Sequence, residues 1–381
     1  MKGSWVRDIV WLFIITRLLL IMITYFGYIL LTAPKYSNTP VDIPALLSTW
    51  NHWDAANYVR IAQYGYQSKF DLAFFPLFPL LISAFSYSPA SWSYLAVGTL
   101  LSNVALLGAM LVIYQLVVET EGEQVAYRTI LYLCIFPTAF FFFAAYNESL
   151  FLLLTAGAFL ALQRKKWWWA GCCGLLAALT RSAAILLVIP YLYELWQTRE
   201  DQTLCSWRQT LPKLLPVALI PLGTALYSLY CWYTTGDPIA FATVQDHWAR
   251  HLSWPWQGIW QALFELFWNQ PFGSFNQAHV LLDLSATLAF LALAILGRPR
   301  LRTSYTLWMG LLLLYILISP STGQHDPLIS NQRFVLELFP GFVTLAILGI
   351  HHPRLHQALL LVFQALLATL SILFMMNRWM V

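Results

Sequence analysis

The chain has 381 residues, of which 59% are hydrophobic, 16% aromatic and only 10% charged, with a mean hydropathy of +0.63. A soluble domain carries about a quarter charged residues, so an ordinary soluble globule is excluded. The apolar runs reach bilayer-spanning length, which points to an all-α polytopic membrane protein rather than a barrel. A net charge of +4 without a long basic run gives nucleic acid no footing.

In chain order, the first apolar run, 9–32, is too long for a signal peptide and lacks a small-residue cleavage site, so it reads as an uncleaved span. Arg17 inside it is expected to snorkel. The first outer loop (33–90) follows and carries "WDAANYVRIAQYGY", 53–66. Trp53, Asn57, Ile61 and Tyr64 recur at helical spacing, so a short interfacial helix is expected with Asp54 at its head. Asp54 reads equally as an N-cap or as a functional carboxylate. Trp53, Tyr58 and Tyr66 offer flat faces suited to a sugar ring or an isoprenoid, while Asn57 and Arg60 add polar groups. In "FFPLFPLL" (74–81) two prolines three apart disrupt a regular helix, so 72–88 is expected to dip into the membrane and return.

Further spans are expected at 91–118, 125–146, 147–163, 212–234, 280–297, 303–319, 332–350 and 355–376, with a tight hairpin over 170–196 turning near Arg181. The total is about 11 membrane segments in one domain. The positive-inside rule places Lys2, Arg7, "RKK" (164–166), "GRPRLR" (297–302) and Arg354 on the cytoplasmic side. The polar stretches 33–71, 144–149, 234–254 and 321–334 then share the extracytoplasmic side, as an active site at a membrane boundary requires. Among them, Asn147 and Glu148 end an apolar run, and their worth depends on which way they face. Arg181 must turn at the interface or meet an anion, either a phosphate or a carboxylate such as Asp54 or Glu148. Arg333, beside Gln332, offers bidentate phosphate geometry, or pairs with Glu337 one turn on. The loop 235–279 carries Asp246, His247, Arg250 and His251 at one-turn spacing, better suited to a phosphate than to a metal, since no third ligand is evident. The cysteines, Cys134, Cys172, Cys173, Cys205 and Cys231, read as small buried hydrophobes.

Together "HWDAANYVRIAQYGY", "FFPLFP", "PTAFFFFAAYNESLF", "LTRSAAILL", "TGDPIAFATVQDHWAR" and "RFVLELFP" resemble the PIG-V family, over residues 50–340. That family comprises GT-C glycosyltransferases that add the second mannose of glycosylphosphatidylinositol anchors, together with bacterial relatives. The resemblance implies a GT-C bundle with short amphipathic helices in its first loop. It implies an inverting mannosyltransferase in a bacterial plasma membrane, drawing on a polyprenyl-phosphate sugar donor and delivering to a lipid or glycan acceptor. Asp54 matches the first-loop catalytic base. Its neighbour is Ala55 rather than a second acid, so the single-carboxylate form applies. No cofactor is called for, although a lone aspartate could help hold a divalent cation. A lipid-carrier transporter without chemistry is the alternative; it would line both halves of a path with polar residues.

Overall fold

The computed structural model describes residues 4–31, 42–200, 207–322 and 325–380. Lys2, positions 33–41 of the first outer loop, and Cys205 lie outside that set. The helices in chain order are α1 (Ser4–Leu31), α2 (Ile43–Ser48), α3 (Asp54–Tyr64), α4 (Leu77–Phe85), α5 (Ser91–Glu121), α6 (Glu123–Ile135), α7 (Glu148–Gln163), α8 (Trp167–Ala178) and α9 (Val188–Glu200). There follow α10 (Trp207–Leu214), α11 (Leu219–Thr235), α12 (Ala240–Thr243), α13 (Gln257–Phe264), α14 (Phe275–Gly297), α15 (Thr303–Leu317), α16 (Asn331–Phe334), α17 (Phe339–His351) and α18 (Pro353–Met375). Short 3-10 turns punctuate them, and no strand occurs among the described residues; one isolated bridge pairs Arg250 with Ser321.

Among the described residues, five helices are long and apolar enough to cross a membrane: Trp5–Leu31, Ser91–Glu121, Leu211–Thr235, Phe275–Gly297 and Pro353–Met375. A sixth is reached if Asn331–Glu337 and Phe339–His351, bent by 85° at Leu338, count as one span. α7, α8 and α15 are apolar but shorter. By length and composition alone, five or six crossing helices stand against about 11 expected membrane segments, because several apolar runs are interrupted. The expected span 125–146 is one case: α6 stops at Ile135 before Pro137, and a 3-10 turn over Ala139–Phe142 follows. The 72–88 stretch, expected to dip and return, holds one short helix, α4. Pro76 caps α4 and Pro79 sits in its first turn, where the missing N–H is harmless, and nine residues rise only about 14 Å.

The chain divides into two compact units. The first comprises residues 1–67, 76–153 and 345–380. In it α1 packs against α5, α6 and α18, and α3 rests on α4 and α5. Trp50, 1% exposed, is enclosed by the rings of Phe140, Phe143 and Phe374. Arg17 does not snorkel. It is buried, donates from Nη1 to Asn103 Oδ1 at 3.2 Å, and lies over the Phe13 ring, because α1 turns that face inward.

The second unit comprises residues 68–75 and 154–344. Its tightest interface is α8 on α11. A Cβ on Gly171, Gly174 or Gly223 would collide with Pro216, Ile220 or Leu175, so small residues let the backbones touch. The helix over 170–196 does break at Leu179–Arg181; a 3-10 turn (Ser182–Leu187) and α9 follow, and α9 packs mainly on α15. Glu194 fastens that pair, accepting Arg302 Nη2 at 2.9 Å and Ser304 Oγ at 2.6 Å, so Arg302 is not simply a headgroup cation. The 69–73 turn is pinned by Tyr227, whose hydroxyl donates to Leu72 O at 2.9 Å and Phe74 O at 3.1 Å. Gly236, at φ 73°, ends α11 into the expected Gly-Asp-Pro turn. There Asp237 accepts from Ile239 N and Thr243 Oγ1, each at 3.0 Å; the backbone bond foremost holds its carboxyl below the ordinary value. Of the described cysteines, Cys134 and Cys231 are buried, but Cys172 is exposed, since α8 presents it outward.

Candidate active site

In the first unit, Asp54 is the first residue of α3 rather than its N-cap, which is Trp53. A carboxylate in the first turn favours the positive helix end. Trp53 is partly exposed and its ring meets that of Trp379 at a tilt of 58°, with centroids 5.0 Å apart. Asn57 and Arg60 share one face, with Arg60 Nη2 donating to Asn57 Oδ1 at 3.2 Å. Tyr58 is buried edge-on against Phe78, so its ring is a packing element and not an open sugar platform. Tyr66 is half-buried beyond the Gly65 turn.

Asn147 and Glu148 face inward, at 2% and 0% exposure, so they are not lipid-boundary markers. Glu148 opens α7 instead of closing a helix. Their segment lies beside the first loop, since the Tyr146 hydroxyl reaches His52 O at 3.5 Å. Ser102 Oγ also donates to Tyr146 O at 2.6 Å, which fixes this turn against α5.

In the second unit three guanidiniums converge on one ring. The Cζ atoms of Arg181, Arg250 and Arg333 lie 5.3, 5.2 and 5.8 Å from the centroid of Phe334, within cation–π range. Arg181 pairs with Glu337, the carboxylate that local spacing also offered to Arg333 as an alternative to phosphate. Arg250 donates from Nη2 to Ile329 O at 2.9 Å. Burial pushes Arg250 down to about 10; Tyr315 and Asp283 pull it upward, and the charges of Arg333 and Arg181 lower it further. It remains a cation at neutral pH, close enough to Arg181 and Arg333 to feel their charge. Ser330, at φ 71°, makes the left-handed turn that delivers Asn331–Arg333 to this place. Gln332 contributes through its backbone, donating N–H to Asp283 Oδ1 at 2.7 Å.

The one-turn spacing of Asp246, His247, Arg250 and His251 is not carried by a continuous helix. A 3-10 turn over Val244–Trp248 ends at Ala249, at φ 52°, and that reversal separates the set. Arg250 turns inward. Asp246 and His251 stay exposed as a 3.6 Å ion pair, and His247 lies exposed with its ring 4.8 Å from Phe70.

One group escaped sequence reasoning: His279, Asp283 and Asp326, all buried, with one ligand-type atom each within 4.8 Å of the others. The signal was present in "HVLLD", two ionisable residues one turn apart in an apolar helix. Starting the span at 280 left His279 outside it.

A family model described as Mannosyltransferase (PIG-V) matches residues 7–236. No curated protein sequence matches the chain. Among solved structures, ArnT from Cupriavidus metallidurans bound to undecaprenyl phosphate is similar over 90% of this chain and 62% of its own, at 13% identity and a TM-score of 0.52. The Archaeoglobus fulgidus oligosaccharyltransferase is similar over 93% of this chain and 53% of its own, at 14% identity and a TM-score of 0.42. The chain thus spans less than two thirds of either, and the likeness to ArnT shows a shared fold alone. With the family model covering more than half of the sequence, the chain belongs to the PIG-V mannosyltransferase family.

Proposed function

We propose that this chain is an inverting membrane glycosyltransferase that moves mannose from a polyprenyl-phosphate donor to a lipid or glycan acceptor, on the extracytoplasmic side of a bacterial plasma membrane. The observation that carries the reading is the convergence of Arg181, Arg250 and Arg333 on Phe334, in a chain of this family. Lipid-linked phosphate is the ligand such a cluster suits, because guanidinium forks match its oxygens and a dry setting strengthens the attraction.

In the reaction the bond between the anomeric carbon and the phosphate oxygen breaks, and the lipid phosphate leaves with the electron pair. The arginines suit that growing charge. The acceptor hydroxyl oxygen bonds to the anomeric carbon, and Asp54 takes its proton, a role general-base catalysis makes worth about 10²–10⁴ in rate. A single displacement inverts the anomeric centre, so a β-linked donor gives an α-mannoside.

The test is incubation of purified protein, in detergent or lipid, with labelled polyprenyl-phosphate mannose and membrane lipids. Transfer of label that Asp54→Asn abolishes, in a variant that inserts and folds normally, is the expected result. Undiminished transfer by that variant removes Asp54 from the mechanism. Lipid movement without transfer makes the protein a carrier.

A further inference from the structure

The buried trio of His279, Asp283 and Asp326 stands apart from any residue used above as base or phosphate ligand. His279 and Asp283 lie four residues apart on α14, so both point from one helix face. Asp326 comes from the loop ahead of α16. Each carboxylate has one oxygen tied down by backbone: Asp283 Oδ1 accepts Gln332 N at 2.7 Å, and Asp326 Oδ1 accepts Leu328 N at 2.8 Å. In each the other oxygen, Oδ2, is buried without a hydrogen-bond partner, and so is His279 Nε2. These atoms face one another: His279 Nε2 lies 3.5 Å from Asp283 Oδ2, and Nδ1 lies 3.6 Å from Asp326 Oδ2.

Those separations are too long for hydrogen bonds. Two ligand atoms on one tetrahedral ion, each about 2.1 Å from it, stand about 3.4 Å apart. Three orphaned polar atoms in an apolar setting are costly. The setting is apolar here, since Val280, Leu284, Leu317 and Leu328 form one hydrophobic cluster with Ala262 and Leu266. A proton shared between the carboxylates would satisfy two of the three atoms and leave the imidazole. Arg250 feels the charge of Asp283, but its Nη2 is given to Ile329 O. A dication satisfies all three at once and cancels both negative charges.

We propose that one divalent transition-metal ion, Zn²⁺ or Mn²⁺, binds between one ring nitrogen of His279, Asp283 Oδ2 and Asp326 Oδ2. Imidazole with two carboxylates suits these ions; Mg²⁺ and Ca²⁺ prefer oxygen alone. The backbone amides of Gln332 and Leu328 orient the ligands from behind, as outer partners do in metal sites. The ion clips α14 to the segment that carries Arg333 and Phe334, and it leaves a coordination position for water. This assignment does not depend on the transferase reading.

The test uses the full chain, purified without an affinity tag, stripped with chelator, then titrated with Zn²⁺ or Mn²⁺ alone. Elemental analysis and calorimetry are expected to give one ion per chain, with a rise in the thermal unfolding midpoint. Asp326→Asn keeps the oxygen that accepts Leu328 N–H and is expected to weaken binding at least tenfold. His279→Ala should do the same, while exposed His352→Ala keeps one ion per chain. If a variant fails to fold, the wild-type titration still decides: a stripped chain that takes up no ion overturns the proposal. Binding unchanged in both Asp326→Asn and His279→Ala overturns it as well. A metal-free wild type that Asp326→Asn makes more stable would identify a strained carboxylate cluster in its place.

Discussion

Two polar stretches of the second unit look alike on paper and end in opposite surroundings. Residues 244–251 carry Asp246, His247, Arg250 and His251; residues 326–337 carry Asp326, Gln332, Arg333 and Glu337. The first lies mostly at the surface, with Asp246 and His251 more than half exposed, and only Arg250 turns in. The second is almost wholly buried, Arg333 at 4% and Glu337 at 3% exposure. Charge density in a sequence does not say where charge concentrates in a fold. What separates them is backbone: the left-handed residue Ala249 interrupts one stretch, while Ser330 turns the other into the helix that packs on α14.

The sharpest way to break the contrast is Arg181→Ala, which leaves Glu337 buried without its guanidinium. Losing one partner of a buried pair costs about 3–5 kcal/mol. A large fall in the detergent unfolding midpoint is expected, and the double variant Arg181→Met/Glu337→Leu should recover much of it. An unchanged midpoint for Arg181→Ala would place that pair in solvent.

Gly258→Ala comes next. A Cβ there would meet Pro320 Cβ at 2.9 Å and a Leu328 methyl at 3.1 Å, so α13 would be pushed off the buried segment. Overpacking of this kind costs about 1–3 kcal/mol, read as a lower midpoint. Arg250→Ala tests the single residue that leaves the exposed stretch for the buried one. It loses a charged hydrogen bond to Ile329 O, worth about 1.5–3 kcal/mol at most, and donor binding should weaken along with it. The smallest effect belongs to Asp246→Ala and His251→Ala. Each should stay within about 0.5 kcal/mol of wild type, because an exposed pair is screened by water and salt. A larger loss in either would mean that this surface is covered in the membrane.

Much of the scaffold was readable from the residues. Apolar run lengths located α1, α5, α14 and α18, whereas the paired prolines, expected to disrupt a regular helix, sit at the start of α4 where they do not. The Gly-Asp-Pro turn stood where local chemistry put it, and so did the helix headed by Asp54. Facing was not readable. Glu148 at the end of an apolar run could equally have met lipid or protein, and only tertiary packing turns it inward. The partner of Arg181 was equally hidden: Glu337 is 156 positions away in the chain, beyond any local rule. The His279–Asp283 pair could have been found, since two ionisable groups at one-turn spacing in an apolar helix are rarely idle.

Trp53 adopts φ 55° and ψ −126°, a conformation open to glycine and resisted by any side chain. The next residue is Asp54. An indole kept in so awkward a posture works like a bent spring at the doorway of α3, held in place by Trp379 and the neighbouring loop. Trp53→Gly would let that spring relax: the melting temperature should hold or rise, while a lower turnover would reveal that the aspartate behind it has lost its fixed aim.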